Sequence, residues 1–458
     1  MSSALQVDLD LVRKYSVPGP RYTSYPTAVQ FTSEFTPEAV IDDLRATNAA
    51  PRPLSLYFHL PFCQTLCWFC GCTTVITGDV TKADIYLRYL EKEIALTRPL
   101  LHPGSKVVQM HFGGGTPNFL NPDQLRRLGT LIRDNFGFEP GAELSVELDP
   151  RRLTRDHVAA FREMGVTRAS FGIQDFDTAV QKAVNRIQPK ELSDAAAAWI
   201  HETGYESLNV DLIYGLPHQT PESFARTIEL ALELKPDRFA VFNYAHVPWM
   251  KPAQKIVERA VLPTPETKLA MLKLVIETLT ARGFVYIGMD HFARETDELA
   301  VAQRSRTLWR NFQGYTTRAG ADIYGFGMSS ISQTPTHYRQ NEKTLPEYYA
   351  ALDQDRLPLH RACFLSEDDR IRREVIMRLM CDLELNFDSL SASLGIDFRA
   401  KFAREIAALA DGPAADGLIE MRPDGFAATD VGRLLIRNLA MTFDAYIGST
   451  EKRFSKTI

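Results

Sequence analysis

The chain has 458 residues, 45% hydrophobic and 24% charged, an ordinary globular composition that excludes disordered and fibrous classes. With 52 Lys+Arg against 57 Asp+Glu the net charge is -5, which gives no electrostatic footprint for nucleic acid or anionic lipid and favours a small-molecule substrate. No apolar run approaches the ~18 residues of a spanning helix, and the first residues lack the pattern of a signal peptide, so a cytoplasmic protein with no membrane partner is expected.

In chain order, residues 18–26 read PGPRYTSYP, which opposes helix and predicts an ordered arm within residues 1–50, followed by a helical pattern near 39–46. From residue 54 short β-rich runs alternate with helical stretches. Strands are predicted at 55–59, 107–112, 144–147, 169–174, 209–213 and 239–244, with a seventh candidate at 285–289. Helices are predicted between them at 83–97, 122–135, 155–164, 191–202, 221–234 and 265–281. That alternation implies right-handed βαβ units and a parallel sheet. Glycine or proline follows several strands, in Gly113-Gly114-Gly115-Thr116-Pro117, Asp149-Pro150 and Tyr214-Gly215-Leu216-Pro217, and such strand ends carry the site in parallel α/β folds.

Beyond residue 345 the pattern turns helical at 369–380, 387–394 and 398–410, then β-like at 418–421 and 425–428, which resembles a winged helix. Residues 361–458 hold 14 Lys+Arg and 16 Asp+Glu, a balance unsuited to neutralising phosphates, so a cover is expected rather than a DNA reader. The division expected is 1–50 as an arm closing the site, 51–345 as a partial barrel and 346–458 as a helical cover.

Four of the six cysteines fall at Cys63, Cys67, Cys70 and Cys72. A single loop can wrap three thiolates spaced C-x3-C-x2-C around an iron-sulfur cubane and leave one iron without a protein ligand, open to substrate or cofactor. The spacing alone also admits a zinc site with Cys72 or His59 as fourth ligand, or reduced bystander thiols. Cys363 and Cys381 are expected to be buried bystanders.

That cysteine pattern after a first strand, followed by a Gly-Gly-Gly-Thr-Pro strand end, resembles the radical S-adenosylmethionine (SAM) superfamily. More narrowly, residues 18–26, 59–72, 111–117, 146–151, 172–176, 211–217, 242–246, 288–293 and 310–316 resemble the oxygen-independent coproporphyrinogen III oxidases. The resemblance implies an incomplete parallel (β/α) barrel of the radical SAM type with an amino-terminal arm and a helical, winged-helix-like carboxyl-terminal domain. It also implies a 4Fe-4S cluster on Cys63, Cys67 and Cys70, with the remaining iron chelated by SAM, and a 5'-deoxyadenosyl radical that takes hydrogen from substrate propionates.

The family binds two SAM molecules. The resemblance assigns Tyr57, Gly114, Glu147 and Ile331 to the first and Phe69, Gly115, Thr116, Gln174, Arg186, Asp211 and Ala245 to the second, with Tyr57, Glu147 and Cys72 as a catalytic set. Leu60 departs from a usual β-branched residue, with no catalytic consequence. Radical-SAM-like heme chaperones are the alternative, and they usually lack the cysteine found here as Cys72. Four propionates on coproporphyrinogen III call for cations, for which Arg21, Arg186 and Arg310 are candidates. An electron donor, an electron acceptor and a monomeric state complete the expectations.

Overall fold

A computed structural model describes residues 9–257, 261–447 and 454. Six strands follow one another through the first half of the chain: β1 (Leu54–Leu60), β2 (Val107–Gly114), β3 (Phe138–Leu148), β4 (Arg168–Gln174), β5 (Ser207–Tyr214) and β6 (Arg238–Asn243). Side chains alternate along each. On β1, Phe58 stacks between Phe112 of β2 and Phe326, while Tyr57 lies against His111 on the opposite face. Helices return the chain between strands, and their starts are written locally. Pro122–Asn135 and Pro221–Glu233 each open with a capping box, from Asn121 with Gln124 and Thr220 with Ser223, and proline at the first turn.

Six further strands complete the sheet: β7 (Phe284–Gly288), β8 (His291–Arg294), β9 (Asp322–Phe326), β10 (Ile331–Gln333), β11 (His337–Asn341) and β12 (Leu359–Phe364). The order across it is β12-β11-β10-β9-β1-β2-β3-β4-β5-β6-β8-β7. The seven strands from β9 to β6 are parallel, and their flanks are antiparallel. This is the incomplete barrel expected, with one correction. The seventh parallel strand is β9, beside β1, whereas the candidate at 285–289 becomes β7, which turns back at Met289-Asp290 and reaches the sheet only through antiparallel β8. Met289 holds the reversal at φ 56.

A second apolar cluster gathers Val375, Phe398, Phe402, Leu439 and Phe443, and buries Tyr22 and Tyr25 from the amino-terminal arm with it. Around it the helix Glu367–Asp382 and its successors carry a three-stranded antiparallel sheet of 384–386, 425–428 and 419–422. The Tyr22 hydroxyl donates to Asp444 (2.8 Å), the Ala445 amide donates to the Tyr25 hydroxyl (3.0 Å), and Thr32 bridges Ala362 of β12. Cys381 is fully buried, but Cys363 on β12 is only partly so, because an edge strand covers one face alone. Among the described residues no helix is long and apolar enough to cross a membrane.

Candidate active site

Because β1 to β6 are parallel, the loops at their carboxyl ends meet at one rim. The loop after β1 carries the cysteines, and its path is fixed by backbone hydrogen bonds to the loop after β2. The Gly115 amide donates to Leu60 O (2.8 Å) and the Thr116 amide to Phe62 O (2.9 Å). A Cβ on Gly115 would lie 2.5 Å from the Pro61 backbone, and Gly114 stands at φ +111 with the His59 ring 2.6 Å from where its Cβ would be. The glycines therefore let the two loops touch.

All six cysteines are unpaired. Cys63 Sγ lies 3.3 Å from Thr116 Oγ1, Cys67 Sγ takes hydrogen bonds from Arg151 and Arg186 at 3.6 Å each, and the Cys72 amide donates to Cys70 Sγ at 3.4 Å. The Cys70 thiol is held down at about 6, chiefly by its hydrogen bond with Cys72, whose own thiol that bond pushes up. Burial of the Asp149 carboxyl would raise it, but Arg186 and Arg151 outweigh burial and hold it at about 2. Arg186 also donates to Gly172 O, so two guanidinium groups stand fixed beside the Cys67 sulfur.

Below the rim, the inward residues of β1 to β5 form a polar layer. The Tyr57 hydroxyl meets His59 Nδ1 (3.1 Å), and the His59 Nε2 meets Thr73 O beyond the cysteines (2.9 Å). His111 contacts Ser145 Oγ (2.7 Å) and Glu147 (3.3 Å). Burial would raise Glu147, yet the hydrogen bond and charge of His111 and the Gly114 amide hold it below the usual carboxylate range. Its side chain keeps 49% exposure because it is surrounded by barrel wall but faces the open cleft, and solvent there weakens these interactions. Asp211 is pushed up to about 7 by burial and by the Glu147 charge, against hydrogen bonds from Asn209 (2.7 Å) and Ser170 (3.1 Å). At the end of β4, Gln174 stands at φ 70 and its buried Oε1 has no hydrogen-bond partner among the described residues, a strained and orphaned group of the kind found where a ligand binds.

The comparisons with known proteins converge on this arrangement. The radical SAM superfamily profile matches residues 57–231 and that of the HemN C-terminal domain residues 365–435. Oxygen-independent coproporphyrinogen III oxidase of Escherichia coli strain K12 is 47% identical, over 98% of each chain. The enzymes of that name from Synechocystis sp. and Pseudomonas aeruginosa are each 45% identical, over 99% and 100% of this chain. The chain belongs to the oxygen-independent coproporphyrinogen III oxidase family. A solved structure described as coproporphyrinogen III oxidase (HemN) from Escherichia coli, a radical SAM enzyme, aligns at a TM-score of 0.92 and 45% identity, covering 97% of this chain and all of that one.

Within this oxidase family member, most residues singled out from the sequence come together. Cys63 joins Thr116, Cys67 joins Arg186, and Glu147, Asp211 and Tyr57 share the polar layer. Phe69 is tied by its carbonyl to Gln254 (2.9 Å) and packs in the apolar cluster that holds Tyr244, the neighbour of Ala245. Ile331 stands apart, packed against the cluster of Phe31, Tyr338 and Leu365. Of the arginines, Arg21 pairs with Asp290 and lines a cavity of about 420 Å³ between the barrel and residues 434–438. Arg310 is buried over Tyr315 (4.7 Å), with its Nε and Nη1 lacking hydrogen-bond partners among the described residues. Burial, then the charges of Arg310 and Arg21, push His291 down to about 3. The sequence reading gave no role to His111 or Arg151 and had Asp149 only as part of a strand end. His111 and Ser145 are inward positions two residues before a motif residue on their strands, a period-two signal that was available.

Proposed function

We propose that the rim and the polar layer divide the work of the family's reaction, the rim holding the metal centre and the layer holding what reacts there. The chain is an enzyme that oxidatively decarboxylates two propionate side chains of coproporphyrinogen III to vinyl groups, giving protoporphyrinogen IX without oxygen, and it uses a 4Fe-4S cluster and SAM. The donor set fits that cluster, with three unpaired soft sulfurs on one short loop. When bound, cluster and SAM supply the primary carbon radical that takes a hydrogen atom from the substrate.

In this reading Cys63, Cys67 and Cys70 are the ligands, and Arg151 and Arg186 offset thiolate charge at Cys67. Cys72 lies beside Cys70 as a site residue rather than a fourth ligand. Glu147, an anion at neutral pH, is suited to an ammonium or ribose hydroxyls, and Tyr57 with His59 and His111 walls the space beside it. Gly114 and Ile331 complete the first SAM position. Phe69, Gly115, Thr116, Gln174, Arg186, Asp211 and Ala245 are assigned to a second SAM, a reading supported by the orphaned Gln174 oxygen. Arg21 and Arg310 are cations for substrate carboxylates. The arm of residues 1–50 and the cover of 346–458 close the barrel of 51–345, keeping water from a radical. The working form is a monomer in the reducing cytoplasm, where free thiols persist.

The single observation that carries this is the full-length match joined to three free thiols on the loop after β1, beside a layer that sets the Glu147 and Asp211 carboxyls close together. Anaerobic reconstitution tests it: iron-sulfur absorbance near 400 nm, 5'-deoxyadenosine formation and loss of carbon dioxide from coproporphyrinogen III are expected. Tight heme binding without turnover, or zinc in place of iron, overturns it.

A further inference from the structure

Three separate parts of the chain bring a guanidinium group to one flank of the barrel. Arg21 comes from the arm, Arg310 from the hairpin of Trp309–Asn311 and Gly314–Thr316, and Arg437 from the helix Ile436–Met441 of the cover. Arg310 is 3% exposed and Arg437 4%. Their charges reach one another. Burial, then Arg437 and Arg310, holds Arg21 down at about 9, and burial, with Arg310 and against Tyr214, holds Arg437 down at about 10. Asp290 answers Arg21. Nothing of that kind answers Arg310: among the described residues it forms no ion pair, it has the face of Tyr315, and its Nε and Nη1 lack hydrogen-bond partners. A buried guanidinium left in this state is costly until an anion arrives.

The same flank holds two more buried atoms with no partner among the described residues, Asn243 Oδ1 at the end of β6 and His291 Nδ1 on β8. Asn243, Arg21 and Arg437 line the cavity of about 420 Å³, as does Ala245, one of the residues assigned to a second SAM. Coproporphyrinogen III carries four carboxylates, and two of them survive into the product. In the second decarboxylation those two are the only carboxylates besides the reacting one, so an anchor that serves both rounds has to hold a survivor. We propose that Arg310, together with Arg21 and Arg437, anchors one of the two propionates that the enzyme leaves intact, and thereby sets which side chain is presented for reaction. The inference deepens the substrate reading given above and rests on it. Guanidinium groups suit the task because each offers a carboxylate paired N–H donors in a fixed fork.

The test uses the full reconstituted enzyme and compares coproporphyrinogen III with an analogue that carries ethyl groups in place of the two surviving propionates. The wild type is expected to show a KM about tenfold higher for the analogue, the factor that one hydrogen bond to a charged group supplies. Arg310→Gln and Arg437→Gln should each raise KM for the natural substrate toward that of the analogue, leave KM for the analogue where it was, and release more of the monovinyl intermediate. A wild type that handles both substrates alike overturns the anchor and leaves the proposed function standing, and it does so even where a variant fails to fold. Glutamine variants that keep the full preference for the natural substrate also overturn it, since the arginines then serve only to shape the wall. Failure of the wild type to decarboxylate coproporphyrinogen III overturns the substrate reading and the anchor together.

Discussion

Two polar layers line the inside of the same strands, two residues apart, and their charges are balanced in opposite ways. In the deeper layer Ser55 donates to Gln109 (3.0 Å) and Gln109 to Glu143 (3.0 Å). Arg168 pairs with Glu298 (3.0 Å), and Arg238 with Asp297 (2.8 Å) and Glu298 (3.1 Å). Glu143 and Glu298 are joined by a hydrogen bond, burial pushing Glu298 up while the bond and Arg168 hold Glu143 down. Two guanidinium groups set among three carboxyls leave that layer paired within itself. The upper layer sets Glu147 and Asp211 near each other with His111 as the neighbouring base and no arginine, so that one carboxylate raises the other. A barrel interior that satisfies itself is structural, while one that leaves charge unanswered is built for something that arrives.

The largest effect is expected in the deeper layer. Arg238→Leu strands the Asp297 carboxylate, leaves Glu298 to Arg168 alone and should cost about 3 kcal/mol, read as a lower midpoint in urea with the slope unchanged. An unshifted midpoint would mean that the two layers are not different in kind. Glu147→Gln in the upper layer should do the reverse, lowering turnover by about 100-fold, some 2.7 kcal/mol, while the urea midpoint moves little. If turnover survives, Glu147 does not belong to the reacting layer.

Asp211→Asn sharpens the contrast through pH. The native carboxyl keeps its proton up to about pH 7 whereas the unfolded one releases it near 3.8, so the native state binds more protons in between and stability falls as pH rises across that window. The substitution should therefore stabilise the unliganded protein at pH 8, by on the order of 2 kcal/mol after allowing for its contact with the cleft, and bring little gain at pH 4. A gain equal at both pH values would assign the effect to packing. The smallest effect is that of Tyr57→Phe, which removes one hydrogen bond to His59 and should cost about 1 kcal/mol of stability, checked by thermal unfolding. A tenfold loss of turnover with unchanged stability would show the hydroxyl facing the reaction instead.

The parts legible in the sequence were those with local signals. Strands β1 to β6 announce themselves by alternation ending in glycine or proline, and the cysteine loop by spacing. Strands β9 and β11 did not. Asp322–Phe326 contains Gly325, whose Cβ would lie 2.7 Å from Ile331 O, and His337–Asn341 is polar yet wholly buried. Asn341 is buried because it donates to Glu93 (2.6 Å), which also accepts from Tyr348 and the Gly327 amide. Such networks join residues about 250 apart and leave no periodicity to read. The same holds at the site: Arg151 was visible as part of a turn after β3, but its contact with Cys67 exists only once the loops of β1 and β3 share a rim. The 285–289 strand was placed correctly and paired wrongly, since hydrophobic alternation reports that a strand exists and says nothing of its direction.

The arm has an implication for how the molecule is made. Tyr22 and Asp444 are 422 positions apart, so on the ribosome the first of these must wait, hydrogen-bonded to water, until residue 444 has emerged. Arg21, on the same stretch, reaches Asp290 by that docking, and the mouth of the barrel is therefore finished last. A chain that stops short of Asp444 loses this hold on the arm, so the entrance of the barrel depends on the segment furthest from it in sequence.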